Sequence, residues 1–143
     1  MIIKYAFPFA AFPKPRGGIG RYGNMTHSSK GYRQWQQKFL ESLSNYHSSE
    51  KSFPIDFHCL IFFFYIKPKR GQPPDLENLQ GAIQDTLKKA GCITDDNYKI
   101  LGRYYTDHMV VKDTSHFDLY LVSNHQEKIY VIDKLLPKID TKI

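Results

Sequence analysis

The chain has 143 residues, 41% hydrophobic and 15% aromatic, so we expect one folded domain over 1–143 rather than a disordered basic arm. Its longest apolar stretch, 59–66, is too short to span a membrane, so we expect no membrane partner. The first residues have no charged leader ahead of a long apolar region, so we expect no signal peptide. The two cysteines, Cys59 and Cys92, indicate neither a disulfide framework nor a zinc site, and we expect a reducing cytoplasm.

The first half of the chain predicts a strand, a helix and a second strand. Residues 1–9 are rich in Ile, Tyr and Phe, which is typical of a strand. Apolar residues at helical spacing predict a helix over 31–45 whose aromatic stripe faces the core. The residues of that stripe are Tyr32, Trp35, Phe39 and Leu43. Residues 55–66 predict a strand whose continuous apolar centre indicates either burial on both faces or a dimer contact.

The middle of the chain predicts an amphipathic helix over 76–90. Asp75 can cap its N-terminus, and Gly91 suits its C-terminal stop. The apolar face of this helix consists of Leu76, Leu79, Ile83 and Leu87.

Carboxylate pairs flank this helix, because Asp75 and Glu77 lie at its start and Asp95 and Asp96 follow its end. The helix would be roughly 22 Å long. The segment 92–96 reaches up to about 17 Å when extended, so it can return the second pair to the first. One metal site is therefore allowed by geometry. The alternative also stays open, in which these residues are only a helix cap, a charge that complements the helix dipole, and a turn.

The last third of the chain predicts strands over 98–107 and 116–122, joined by a turn at 113–115 as an antiparallel hairpin. Asn124 and Glu127 form a start like a capping box and predict a final helix, although the β-branched content there leaves a strand open. The resulting order β-α-β-α-β-β-α predicts an α/β (α+β) fold in two layers. Its sheet is expected to be mixed and largely antiparallel, with helices mainly on one face.

Two basic loops are candidates for contact with nucleic acid in this chain of net charge +6. The loop 14–23 combines cations with glycines that let backbone approach phosphates, although an ordinary solvated loop explains it equally well. The loop 67–71 lies directly before the acidic helix, where its cations would hold a phosphodiester backbone over a metal ion. The candidate DNA-binding residues are Lys14, Arg16, Arg21, Lys67, Lys69 and Arg70.

The sequence from Asp75 to Asp96 resembles the core motif of the RusA family of crossover junction endodeoxyribonucleases. The similarity covers Asp75-Leu76-Glu77-Asn78-Leu79, the helix that ends at Gly91, and Thr94-Asp95-Asp96. Two positions depart from the family pattern. Glu77 replaces the second aspartate of the motif, and Gly81 stands where the family has a lysine.

The resemblance implies a Mg²⁺-dependent, structure-selective endonuclease that resolves four-way (Holliday) junctions in branched DNA by paired nicks, as a homodimer. It implies that Asp75, Glu77 and Asp96 are catalytic and bind one or two Mg²⁺ ions, for which Mn²⁺ can substitute. Asp95 would orient Asp96. Two alternatives stay open. The departures motivate a junction-binding protein that cuts weakly or not at all, and the other alternative is a structural or partner-binding domain without nuclease activity, whose acidic residues are only caps and turns.

Overall fold

The computed structural model describes residues 2–13, 30–47, 58–71, 75–91 and 104–137. The elements follow the predicted order β-α-β-α-β-β-α, with a five-residue π-helical turn after the last helix. They are β1 (Ile2–Phe7), α1 (Lys30–His47), β2 (Cys59–Ile66), α2 (Leu76–Lys89), β3 (Tyr104–Val110), β4 (His116–Val122), α3 (His125–Tyr130) and the π-turn (Val131–Leu135). None of the described helices is long and apolar enough to cross a membrane.

The four described strands form one sheet in the order β1-β4-β2-β3. β4 pairs antiparallel with both β1 and β2, whereas β2 pairs parallel with β3. The predicted mixed, largely antiparallel sheet is therefore confirmed, but the predicted hairpin of the last two strands is wrong. β4 is buried along almost its whole length and takes a central place, which leaves the half-buried β3 at the edge beyond β2. The predicted strand residues 98–103 lie outside the described part of the chain.

Helices α1 and α2 pack on one face of the sheet and form its larger core. The aromatic stripe of α1 is buried there, as the sequence predicted, and the ring of Phe39 stacks on that of Phe7 at 4.8 Å between centroids. Phe7 stacks in turn on Phe117 of β4 at 4.9 Å. Stacked rings of this kind contribute about 0.5–1.5 kcal/mol beyond the area they bury, so they fix the position of α1 on the sheet.

The opposite face of the sheet is covered in part by α3 and the π-turn. Val131 and Leu136 pack there against Cys59, Ile61 and neighbouring strand residues. β2 is thus buried on both faces within one chain, which is the first of the two alternatives that its apolar sequence allowed. With α1 and α2 on one side and the short α3 on the other, the helices lie mainly on one face, as predicted.

Helix α3 begins as the capping pattern predicted, so the strand alternative for this segment is wrong. The side chain of Asn124 accepts the backbone N–H of Glu127 at 2.8 Å. Glu127 in return accepts the backbone N–H of Ser123 at 2.8 Å. The first bond satisfies a backbone donor that the first helical turn leaves without a helical partner, and the second satisfies the donor just before the cap.

Candidate functional site

Helix α2 connects two parallel neighbouring strands. This connection determines at which end of the sheet the acidic N-terminus of α2 lies. β2 and β3 run in the same direction, so the helix between them must run back along the sheet. The N-terminus of α2 therefore lies at the carboxyl ends of β2 and β3. In open sheets with parallel strands, ligands commonly bind at this end.

Asp75 and Glu77 form the start of α2 and are both exposed. One carboxylate oxygen of Asp75 accepts the backbone N–H of Glu77 at 2.9 Å, which confirms the predicted N-cap. An ionised carboxylate has about four lone-pair positions on its two oxygens, so capping does not use up its capacity to bind a cation. Glu77 lies in the first turn, where the helix dipole favours a negative charge.

The second carboxylate pair, Asp95 and Asp96, lies outside the described residues, as do Lys14, Arg16 and Arg21 of the first basic loop. Within the described part of the chain, no three His, Cys, Asp or Glu side chains come together in a way that could hold a metal ion. The two exposed carboxylates of α2 are hard oxygen donors, which Mg²⁺ prefers, so the residues present fit a magnesium ion. The complete ligand set stays a prediction.

The second basic loop lies at the same end of the sheet as the acidic residues, because it joins the carboxyl end of β2 to α2. Lys67, Lys69 and Arg70 are all exposed. The backbone N–H of Lys67 donates to the Ser115 hydroxyl at 2.8 Å, which ties the start of the loop to the residue before β4. Near its end, Gly71 has a φ of +105°, a conformation that other residues rarely adopt. Cations and carboxylates therefore lie at the same end of the sheet.

A hydrogen bond between side chains fixes α2 against the edge strand. Gln80 is only 6% exposed, and its side-chain oxygen accepts the hydroxyl of Thr106 on β3. Sequence reasoning missed this pair, because it placed β3 beside β4 rather than beside α2. The polar Gln80 next to Leu79 on an apolar helix face was the available signal, since a buried polar side chain requires a partner.

A second polar network joins α2 to α1. The buried amide of Gln36 donates to the hydroxyls of Thr86 and Tyr32 at 3.2 and 3.1 Å, and its oxygen accepts the Lys89 ammonium at 3.1 Å. Burial, and then the negative charge of Asp85, raise the pKa of Tyr32 to about 12. Tyr32 therefore stays neutral at physiological pH. The network holds the middle and end of α2, while the Gln80 contact holds the half that carries the carboxylates.

A further carboxylate, Asp118, is buried on the opposite face of the sheet. It accepts the hydroxyl of Tyr65 at 3.1 Å and lies 3.9 Å from the ammonium of Lys4. Burial, followed by the charge and hydrogen bond of Asp118, raises the pKa of Tyr65. Because the sheet separates Asp118 from α2, this carboxylate belongs to the packing of the second face and not to the candidate site.

Exposed carboxylates beside exposed cations are the arrangement expected of a protein that acts on phosphodiesters through a metal ion. The family model described as endodeoxyribonuclease RusA matches residues 8–112, well over half of the 143-residue chain, so the chain belongs to the RusA family. The match spans α1, β2, α2 and β3 and confirms the family that the motif at 75–96 indicated. A search of curated protein sequences finds no match to the chain.

Proposed function

We propose that this chain is a Mg²⁺-dependent endonuclease that resolves four-way DNA junctions by paired nicks. One observation carries the proposal: the exposed carboxylates of the first turn of α2 and the exposed cations of the preceding loop lie at one end of the sheet, inside the segment that matches the RusA family. The carboxylates suit a divalent cation, and the cations suit a phosphate backbone.

Asp75, Glu77 and Asp96 would hold one or two Mg²⁺ ions, and Mn²⁺ would substitute, while Asp95 would orient Asp96. When bound, the ion would activate a water for attack on the scissile phosphate and would stabilise the departing oxygen. The chain's own contribution is to fix the carboxylates. The Asp75 cap and the Gln80 contact with Thr106 hold the first turn of α2 in place before the DNA arrives.

The basic loops would position the DNA strands and carry little sequence readout, because contacts to phosphate are the same for every base. Lys67, Lys69 and Arg70 would bind the strand next to the acidic residues. Lys14, Arg16 and Arg21 would bind a second stretch of backbone. We propose a homodimer because a four-way junction has two-fold symmetry, and two sites related by a dimer axis match its two cleaved strands.

The proposed compartment is the cytoplasm. Among the described residues, Cys59 has a buried thiol in β2. A thiol of this kind packs as a small apolar side chain and suits a reducing environment.

A junction-binding protein that cuts weakly or not at all is the second candidate, and Gly81 favours it. Gly81 lies one helical turn after Glu77, and a lysine there would point back towards the N-terminus of α2. Such a lysine would bring its ammonium next to the carboxylates, where it would stabilise phosphate charge in the transition state. This chain has no side chain at that position, and its longer Glu77 moves the second carboxylate by one methylene.

The deciding experiment compares cleavage of a labelled four-way junction with cleavage of a linear duplex of the same sequence, each with Mg²⁺ and with EDTA. Paired nicks in the junction alone, only with Mg²⁺, are expected. Binding of the junction without cleavage would support the second candidate. If the protein neither cuts nor prefers the junction, the acidic residues serve as caps and turns, and the nuclease proposal is wrong.

A further inference from the structure

The side chain of His108 stands on the same face of the sheet as α2. In the parallel ladder between β2 and β3, His108 pairs with Phe64 and Thr106 pairs with Phe62. Paired residues of neighbouring strands project to the same face, and both phenylalanines lie in the core beneath α1 and α2. The neighbouring Met109 instead packs in the core of the opposite face. His108, half-buried, therefore faces α2.

The contact between Gln80 and Thr106 shows which part of α2 lies beside His108. From Gln80 one turn back to Glu77 is about 4.5 Å along the helix. From Thr106 on to His108 is about 6.6 Å along the strand. Because α2 runs opposite to β3, both steps lead towards the carboxyl ends of the strands. His108 thus lies beside the first turn of α2, on the edge strand, where a ligand can approach it.

The surroundings of His108 suit a hydrogen bond to an anion rather than a place in a metal cluster. Its backbone is fixed, since its N–H donates to the side chain of Asp107 at 2.7 Å. In the described part of the chain, His108 does not join two other ligand-type side chains in a group that could hold a metal ion. A neutral imidazole has one N–H donor, which suits a phosphate oxygen.

We propose that His108 donates a hydrogen bond from its imidazole to a phosphate oxygen of the DNA strand bound over Asp75 and Glu77. This inference rests on the proposed function, since the same strand must lie across the first turn of α2. His108 then contacts the phosphate from the side of β3, while the cations of the loop 67–71 contact it from the side of β2. The contact compensates in part for Gly81, where the cation of a lysine one turn after Glu77 is absent.

The structure offers a matched control in His116. This residue begins β4, lies at the same end of the sheet and is half-buried like His108. It stacks on Tyr65 at 4.1 Å between ring centroids, on the face away from α2. A DNA strand bound at the start of α2 would contact His108 but not His116.

The test measures Mg²⁺-dependent junction cleavage by the wild-type protein and by His108→Ala, His108→Gln and His116→Ala. The loss of a hydrogen bond to a charged group should make cleavage by His108→Ala roughly 10- to 100-fold slower. His108→Gln keeps an N–H donor and should recover much of that loss, and His116→Ala should cut like wild type. A His108→Ala protein that cuts at the wild-type rate would overturn the inference. So would a variant whose only change is a higher Mg²⁺ requirement, because that marks a metal ligand.

A footprint on the unmodified protein separates this inference from the proposed function. Diethyl pyrocarbonate modifies accessible histidines, and the junction, bound in Ca²⁺ to prevent cleavage, should slow modification of His108 but not of His116. If the wild-type protein cuts nothing, the proposed nuclease function fails, yet selective protection of His108 still supports the phosphate contact. If the protein cuts and His108 is not protected, the nuclease function stands and the inference about His108 is wrong. The footprint also decides the case in which His108→Ala fails to fold.

Discussion

Replacing Asp75 separates the two roles that this residue combines, the cap of α2 and the proposed metal contact. Its carboxylate accepts the backbone N–H of Glu77 at 2.9 Å, and asparagine caps a helix about as well as aspartate. Asp75→Asn should therefore lower the free energy of unfolding by less than about 1 kcal/mol, through the lost interaction of the charge with the helix dipole. Asp75→Ala also removes the cap and should cost about 1 kcal/mol more.

The effect on cleavage should be far larger than the effect on stability. A metal ion supplies several kcal/mol of transition-state stabilisation, and each 1.36 kcal/mol is a factor of ten in rate. Both Asp75 variants should thus cut a four-way junction on the order of 100-fold more slowly or worse, and Asp96→Asn should behave in the same way. Junction binding should be unchanged or stronger, because each substitution removes a charge that repels phosphate.

The assay combines thermal unfolding with junction cleavage in Mg²⁺ and with fluorescence anisotropy of a labelled junction in Ca²⁺. Asp133→Asn is the matched control, since Asp133 is exposed on the π-turn, away from α2, and its loss should change neither cleavage nor stability. The reasoning is refuted if Asp75→Asn cuts near the wild-type rate while Asp75→Ala unfolds readily. That result would leave Asp75 as a cap alone.

Three further predictions test the surroundings of the site. Restoring the family pattern with Glu77→Asp and Gly81→Lys should preserve or raise cleavage, and the loss of a helical glycine should stabilise α2 by up to about 1 kcal/mol in thermal unfolding; a folded double variant that cuts much more slowly would contradict this. Thr106→Val leaves the buried Gln80 without its hydroxyl partner and should cost about 1–3 kcal/mol in urea denaturation, whereas an unchanged midpoint would show that the bond contributes nothing. Neutralising three cations of the first loop should weaken binding to every DNA form and reduce the slope of log affinity against log salt by about 2 to 3, measured by anisotropy; an unchanged slope would mean that the loop is only a connection. Those cations are Lys14, Arg16 and Arg21.

Local signals in the sequence predicted the elements well, because they depend on neighbouring residues. The helix predicted over 76–90 is observed as Leu76–Lys89, with Asp75 as its cap and Gly91 at φ +75° just beyond its end. The alternation in 116–122 predicted the whole of β4. Spacing, caps and stops of this kind act within one or two turns and need no knowledge of the partner strands.

The same local signals led to a wrong prediction for the pairing of the strands. A short turn at 113–115 favoured a hairpin, yet β4 pairs with β1 and β2 instead of β3. Burial decides this competition, since the apolar β4 gains more from a central place than from an edge pair. The sequence nevertheless predicted a strand over 55–66, a helix over 76–90 and a strand over 98–107, and that order is typical of a parallel pair.

The error in pairing also explains what was missed at the candidate site. The strand before β4 was predicted to end at Asp107, beside β4, so neither Thr106 nor His108 was expected near the acidic helix. In the structure β3 continues to Val110 and lies next to β2, which brings it under α2. The motif predicted Asp75 and Glu77 as candidates because they lie in one short stretch of sequence, whereas the placement of the β3 residues depends on the sheet.

The placement of the cations is what distinguishes a functional site from a well-capped helix. The N-terminus of α2 carries the positive end of the helix dipole, which favours the negative charges of Asp75 and Glu77. Cations at this end do not stabilise the helix. The basic residues that do suit the dipole, Lys88 and Lys89, lie in the last turn. Yet the loop that leads into the positive end, 67–71, carries three exposed cations. Helix stability does not explain these cations, so their placement favours an anionic partner at this end of the sheet. A DNA backbone held over a metal ion that carboxylates bind would be such a partner.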